Sequence, residues 1–184
     1  GDYITFTANF GELASKTAAT YDDASKKLTL SWEAGDQVGV YSSQTPILFK
    51  ASAAGASTTL TSNVKVASAS SYSAVFPYMT DALMEDGALV ATVPSEQTAS
   101  PDEPKYHIAV AKTSSNAFAF KNVTAAVRLD VKAENITKIV VSGNKGENLA
   151  GKISVNPENA SISGVTAGVP EVAVVPAPGA SVIN

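Results

Sequence analysis

The chain has 184 residues, 45% of them apolar and 16% charged, with a net charge of −4 and no cysteine. That size suits one domain, or one domain and the start of another, with a core large enough to need no disulfide staple. One arginine, Arg128, and scattered lysines make no basic cluster for a nucleic-acid backbone, and a chain without thiols has no Cys nucleophile or thiolate metal site.

Period-two alternation opens the chain: Ile4, Phe6 and Ala8 share one face of the run from Asp2 to Phe10. Gly11 to Thr20 is Ala-rich without a 3.6 period, so it reads as a loop or strand switch. Leu28, Leu30 and Trp32 form the next stripe, which makes Trp32, the only tryptophan, a core anchor. Ala34-Gly35-Asp36 then reads as a tight hairpin turn, because Gly tolerates positive φ and Asp bonds back to its own backbone. Val38 and Val40 resume the core face, and Ile47-Leu48-Phe49 follows as a short apolar run. The Ser/Ala/Thr-rich segment from Ala51 to Ser73 carries Leu60, Val64 and Val66 in strand-like settings.

Tyr72, Ala74 and Phe76 alternate up to Pro77. Thr80 to Glu85 is the best helix candidate, with a capping residue in Thr80 or Asp81 and a stop at Gly87. Strand patterns then return at Leu89, Ala91 and Val93, at Tyr106, Ile108 and Val110, and at Phe118 and Phe120. Val127, Leu129 and Val131 follow, then Ile139 to Val141, Ile153 with Val155, and Val172 to Val175. About a dozen short strands spaced by turn formers predict an all-β sandwich or barrel with at most one short helix. Residues 1–163 read as the β-domain, and the Pro- and Gly-rich residues 164–184 as a linker with a strand, leading toward a further domain.

Catalytic patterns are missing from the sequence. His107, the single histidine, lies mid-strand and reads as solvent-facing, and no Gly-x-Ser-x-Gly accompanies it. The acidic pairs Asp22-Asp23, Glu85-Asp86 and Asp102-Glu103 lack the alternating-acid pattern of a calcium loop and read as solvated turns. We therefore expect no enzyme activity, no cofactor and no metal. An aromatic platform for sugars is the other open reading, with Trp32, Tyr3, Tyr41, Tyr72, Tyr78 and Tyr106 as its rings.

Six segments in one order carry a resemblance: Ile4-Thr5-Phe6-Thr7-Ala8, Ser15-Lys16-Thr17, Trp32 to Tyr41, Tyr72 to Pro77, Val93 to Thr98 and Phe118 to Leu129. Together they resemble the N-terminal domain of the fimbrillin-like family, type V pilus and surface lipoproteins of Bacteroidetes, over roughly Ile4 to Val155. Trp32, Gly35, Asp36, Tyr72 and Pro77 are the structural fingerprint. The resemblance implies a transthyretin-like Greek-key sandwich, export to the outer membrane and cell surface, and a lipid anchor outside this sequence. It implies a fimbrial shaft, anchor or tip that mediates adhesion, with other subunits, surface receptors or a glycan as partners. In polymerising members a protease removes the first strand, and the vacated groove takes a strand of the next subunit. The matching strand here carries Ile4, Phe6 and Ala8. Those members are cut after an early arginine, whereas the early basic residues here are Lys16, Lys26 and Lys27.

Overall fold

A computed structural model describes residues 1–10, 18–22, 24, 27–100, 106–125, 127 and 129–183. The segment Ser15-Lys16-Thr17, the pair Asp102-Glu103, and Asp23, Lys26 and Arg128 lie outside the described residues. Sixteen strands follow one another without a helix among the described residues: β1 (Phe6–Phe10), β2 (Ala18–Asp22), β3 (Lys27–Ser31), β4 (Gln37–Tyr41), β5 (Ile47–Ala51), β6 (Ser57–Thr61), β7 (Tyr72–Phe76), β8 (Leu83–Glu85), β9 (Ala88–Val93), β10 (Glu96–Thr98), β11 (Ala109–Thr113), β12 (Ala117–Asn122), β13 (Ile139–Ser142), β14 (Ala150–Val155), β15 (Ile162–Val169) and β16 (Glu171–Val175). The all-β expectation holds.

Seven strands close a barrel in the order β1-β12-β11-β7-β4-β5-β6, with β6 returning to β1. A four-stranded sheet, β15-β14-β9-β8, covers one side of it. A three-stranded sheet β10-β16-β13 and the β2-β3 pair complete the structure.

Two cores follow from this layering. Phe6, Ala8, Trp32, Val38, Val40, Phe49, Leu60, Tyr72, Phe118 and Phe120 fill the barrel. Tyr41, Val75, Ile108 and Val110 leave the barrel's outer wall and meet Leu89, Ala91, Ile153 and Val155 of the covering sheet. Strands β4, β7 and β11 are thus buried on both faces, and their sequences run QVGVY, YSAVF and AVAKT, apolar or small at nearly every position. Strands β1, β6 and β12 face solvent on one side and alternate strictly: FTANF, STTLT and AFAFKN. Gly39 sits on the doubly covered wall, where a Cβ would come within 3.1 Å of both Pro46 and Val75.

The turn after Trp32 forms as the sequence suggests. Gly35 has φ +90°, and Glu33 N–H donates to Asp36 Oδ2 at 2.7 Å. It is a corner between sheets and not a hairpin, because β3 pairs with β2 while β4 pairs with β5 and β7. Trp32 itself exchanges backbone bonds with Gly55, at 2.7 and 3.0 Å. The Phe76–Pro77 peptide bond is cis.

Two local expectations are corrected. Thr80 to Glu85 is a turn leading into β8, because Asp86 and Gly87, both at positive φ, close a two-residue hairpin to β9 that captures Leu83 to Glu85 as a strand. Val127, Leu129 and Val131 form no strand and are 72%, 44% and 40% exposed. Their alternation supplies a face, but no described strand pairs with them, neither in the closed barrel nor at the edges of the open sheets. The composition shift at Gly164 falls within β15, which pairs with β14.

Candidate functional site

Of the residues expected to act, Phe6 and Ala8 lie on β1 and Ile4 lies two residues ahead of it, and the barrel fixes the strand's environment from both sides. β1 runs parallel to β12, matching Ala8 with Phe118 and Phe10 with Phe120. On its other side it runs antiparallel to β6, matching Phe6 with Leu60 and Ala8 with Thr58. The β1–β12 contact is the one parallel pairing in the barrel; the other barrel pairs are antiparallel. Ahead of β1, Asp2 and Val66 exchange two backbone hydrogen bonds, at 3.1 and 2.9 Å.

The side chains obey the two-residue period. Phe6 and Ala8 are buried, Ile4 and Phe10 pack partly buried against the same core, and Thr7 and Asn9 face outward. The Phe6 ring lies 4.8 Å from Phe118, 5.2 Å from Tyr72 and 5.6 Å from Phe49. The Phe10 ring stacks on Trp32 at 4.4 Å and leans on Phe120 at 5.9 Å. Ile4, Phe6 and Ala8 are therefore brought together on one face, as the alternation indicates. Phe10 belongs with them, and carrying the same period one step further along FTANF identifies it. The rings around it come from strands distant in sequence, and no local pattern marks them as its partners.

Trp32 is 0% exposed, so it offers no platform to a ligand. Its Nε1–H finds no hydrogen-bond partner among the described residues. Phe76 and Phe120 meet its edges at 5.9 and 5.5 Å. Tyr72 and Tyr41 are buried as well, while Tyr3 is exposed with Lys65 Nζ 5.5 Å above its ring. Tyr41 donates to Ala82 O at 2.7 Å, and burial, with Tyr78 and Asp81 nearby, pushes its hydroxyl pKa well above the usual tyrosine value.

His107 is corrected from solvent-facing to buried, at 5% exposure. It precedes β11 instead of lying within it, and its ring turns inward because Nε2 finds Asn122 Oδ1 at 2.9 Å. That neighbour is an amide, not a hydroxyl nucleophile. Among the described residues no group of three or more His, Asp or Glu gathers at one place. A surface depression of about 490 Å³ between the β9–β10 connection and the β14–β15 pair holds one carboxylate, Glu96, and one amine, Lys152.

Compared with protein-family models, with curated proteins and with solved structures, the chain has no match.

Proposed function

We propose that this chain is a non-enzymatic fimbrial subunit, serving as shaft, anchor or tip in adhesion, whose barrel accepts a β-strand from a neighbouring subunit in place of β1. The observation that carries the reading is the seat of β1 between β12 and β6. Taking it out leaves two backbone edges one strand apart over an aromatic-lined slot. Such a slot is suited to strand addition, with backbone bonds giving affinity and alternate pockets giving specificity. The ordered resemblance to fimbrillin-like proteins supports the surface location, the lipid anchor and the adhesive role.

Treatment of the protein with a trypsin-like protease tests this. Laddered, SDS-resistant polymers are expected once the first strand is cut free. A persistent monomer that keeps its first strand removes the shaft role and leaves an anchor or tip. The glycan-platform reading loses its principal ring, because Trp32 is enclosed by Phe10, Phe76 and Phe120.

A further inference from the structure

We infer that the slot filled by β1 reads its incoming strand through an aromatic–small–aromatic key, and that the small central position, held here by Ala8, sets the register. The inference rests on the strand-acceptor reading and adds the chemistry of the strand it would take: uncharged on its inward face, with large rings at positions i and i+4 and alanine or glycine at i+2.

The walls of the central position are what make it selective. Ala8 is fully buried, matched to Phe118 on one side and Thr58 on the other. The Phe118 ring is packed against Phe120 at 5.9 Å and against the Phe6 position at 4.8 Å, so moving it gives up both ring contacts. Thr58 is fixed as well: its Oγ1 donates to Ala53 O at 2.8 Å and accepts from Ala53 N–H at 3.2 Å. A larger side chain at the centre must break that pair of hydrogen bonds or unstack the rings. The flanking positions are the reverse, each a cage of rings. Phe49, Tyr72 and Phe118 surround Phe6, while Trp32 and Phe120 hold Phe10.

The key admits one register. A slip by one residue turns Thr7 and Asn9 inward, and a slip by two drives a phenyl ring into the alanine position. The outward positions carry no such demand, because Thr7 and Asn9 are exposed.

The test uses the full chain with residues 12–16 replaced by a specific protease site and then cut, so that β1 stays seated without a covalent link. Labelled peptides spanning Asp2 to Phe10 are offered in excess, both to the folded nicked chain and during its refolding from denaturant. The native-sequence peptide is expected to displace β1. An Ala8→Leu peptide should bind at least ~10-fold more weakly, the lower part of the range for overpacking a close-packed core. A Phe10→Ala peptide should also lose ~10-fold or more, from the burial of a ring. Ala8→Gly should cost roughly 2- to 5-fold, and the outward variant Thr7→Lys about 2-fold at most. Ala8→Leu binding as well as the native peptide overturns the key. If the native-sequence peptide fails to enter by either route while the nicked chain stays folded, the strand-acceptor reading itself fails.

Discussion

Trp32 has two opposing features at the residue scale. Its ring is fully enclosed, which favours the fold, and its indole N–H has no partner among the described residues, which opposes it. Trp32→Ala should cost ~3–5 kcal/mol, the range for large-to-small changes of an aromatic core residue. Trp32→Phe should cost less than that, because a phenyl ring refills most of the space that Ala leaves empty. Denaturant unfolding of the two variants measures both, and the wild-type emission maximum should lie in the blue. Equal losses for the two substitutions would show that a phenyl ring regains none of the packing that the indole makes. Tyr41 gives a pH signature. Its folded pKa is raised by burial above the unfolded value of about 10, so its contribution is complete below that pH and is lost as pH rises through the folded value. Unfolding free energy should therefore fall from about pH 10 upward, and less steeply in Tyr41→Phe. Identical alkaline slopes in the two proteins would contradict the assignment.

At the scale of elements, the pattern of each strand reports how many of its faces are covered. The alternation of β1 and β12 was readable directly, and it placed Ile4, Phe6 and Ala8 on one face; that of β6, STTLT, shows in its burial and not in its sequence, where only Leu60 stood out. The near-continuous runs of β4, β7 and β11 identify strands but do not reveal that a second sheet lies outside them. Gly39, on the outer wall of β4, is crowded by Pro46, Val75 and Tyr78, none of them on the covering sheet. Gly39→Ala puts a methyl 3.1 Å from Pro46 and Val75, and a loss of roughly 1–3 kcal/mol in denaturant unfolding is expected. An unchanged midpoint would mean that Pro46 and Val75 can shift to accept it. Val127, Leu129 and Val131 mark the limit of pattern reading, since an alternating sequence forms a strand only where a ladder partner exists. The helix candidate at Thr80 failed for the opposite reason: the Asp86-Gly87 turn supplied a partner strand to residues whose local preference was open.

At the scale of the whole molecule, strand count and turn spacing led to an all-β class, and the barrel with its covering sheet belongs to that class. Closure was not readable, because it depends on β1 pairing with β6 on one side and with β12, more than a hundred residues further along the chain, on the other. The same non-local pairing hid most of the candidate site. Phe6, Ala8 and Phe10 form a legible stripe, but Phe49, Tyr72, Phe118 and Trp32 become their cage only when the barrel closes. Seating β1 along two neighbours makes it integral to the fold, and on the proposed reading a subunit that loses it has a drive to take up another strand.

The absence of cysteine permits a direct measurement of that drive. Thr7 and Thr59 are register partners on the outward side of β1 and β6, so Thr7→Cys with Thr59→Cys provides the only two thiols in the chain, placed to lock the strand in its seat. The doubly substituted protein is treated with the trypsin-like protease in its oxidised and reduced forms, and SDS-resistant species are resolved by electrophoresis. Strand acceptance requires ladders from the reduced form and monomer from the oxidised one. Ladders of equal intensity from both forms would show that assembly proceeds with β1 still in place, and would contradict the account.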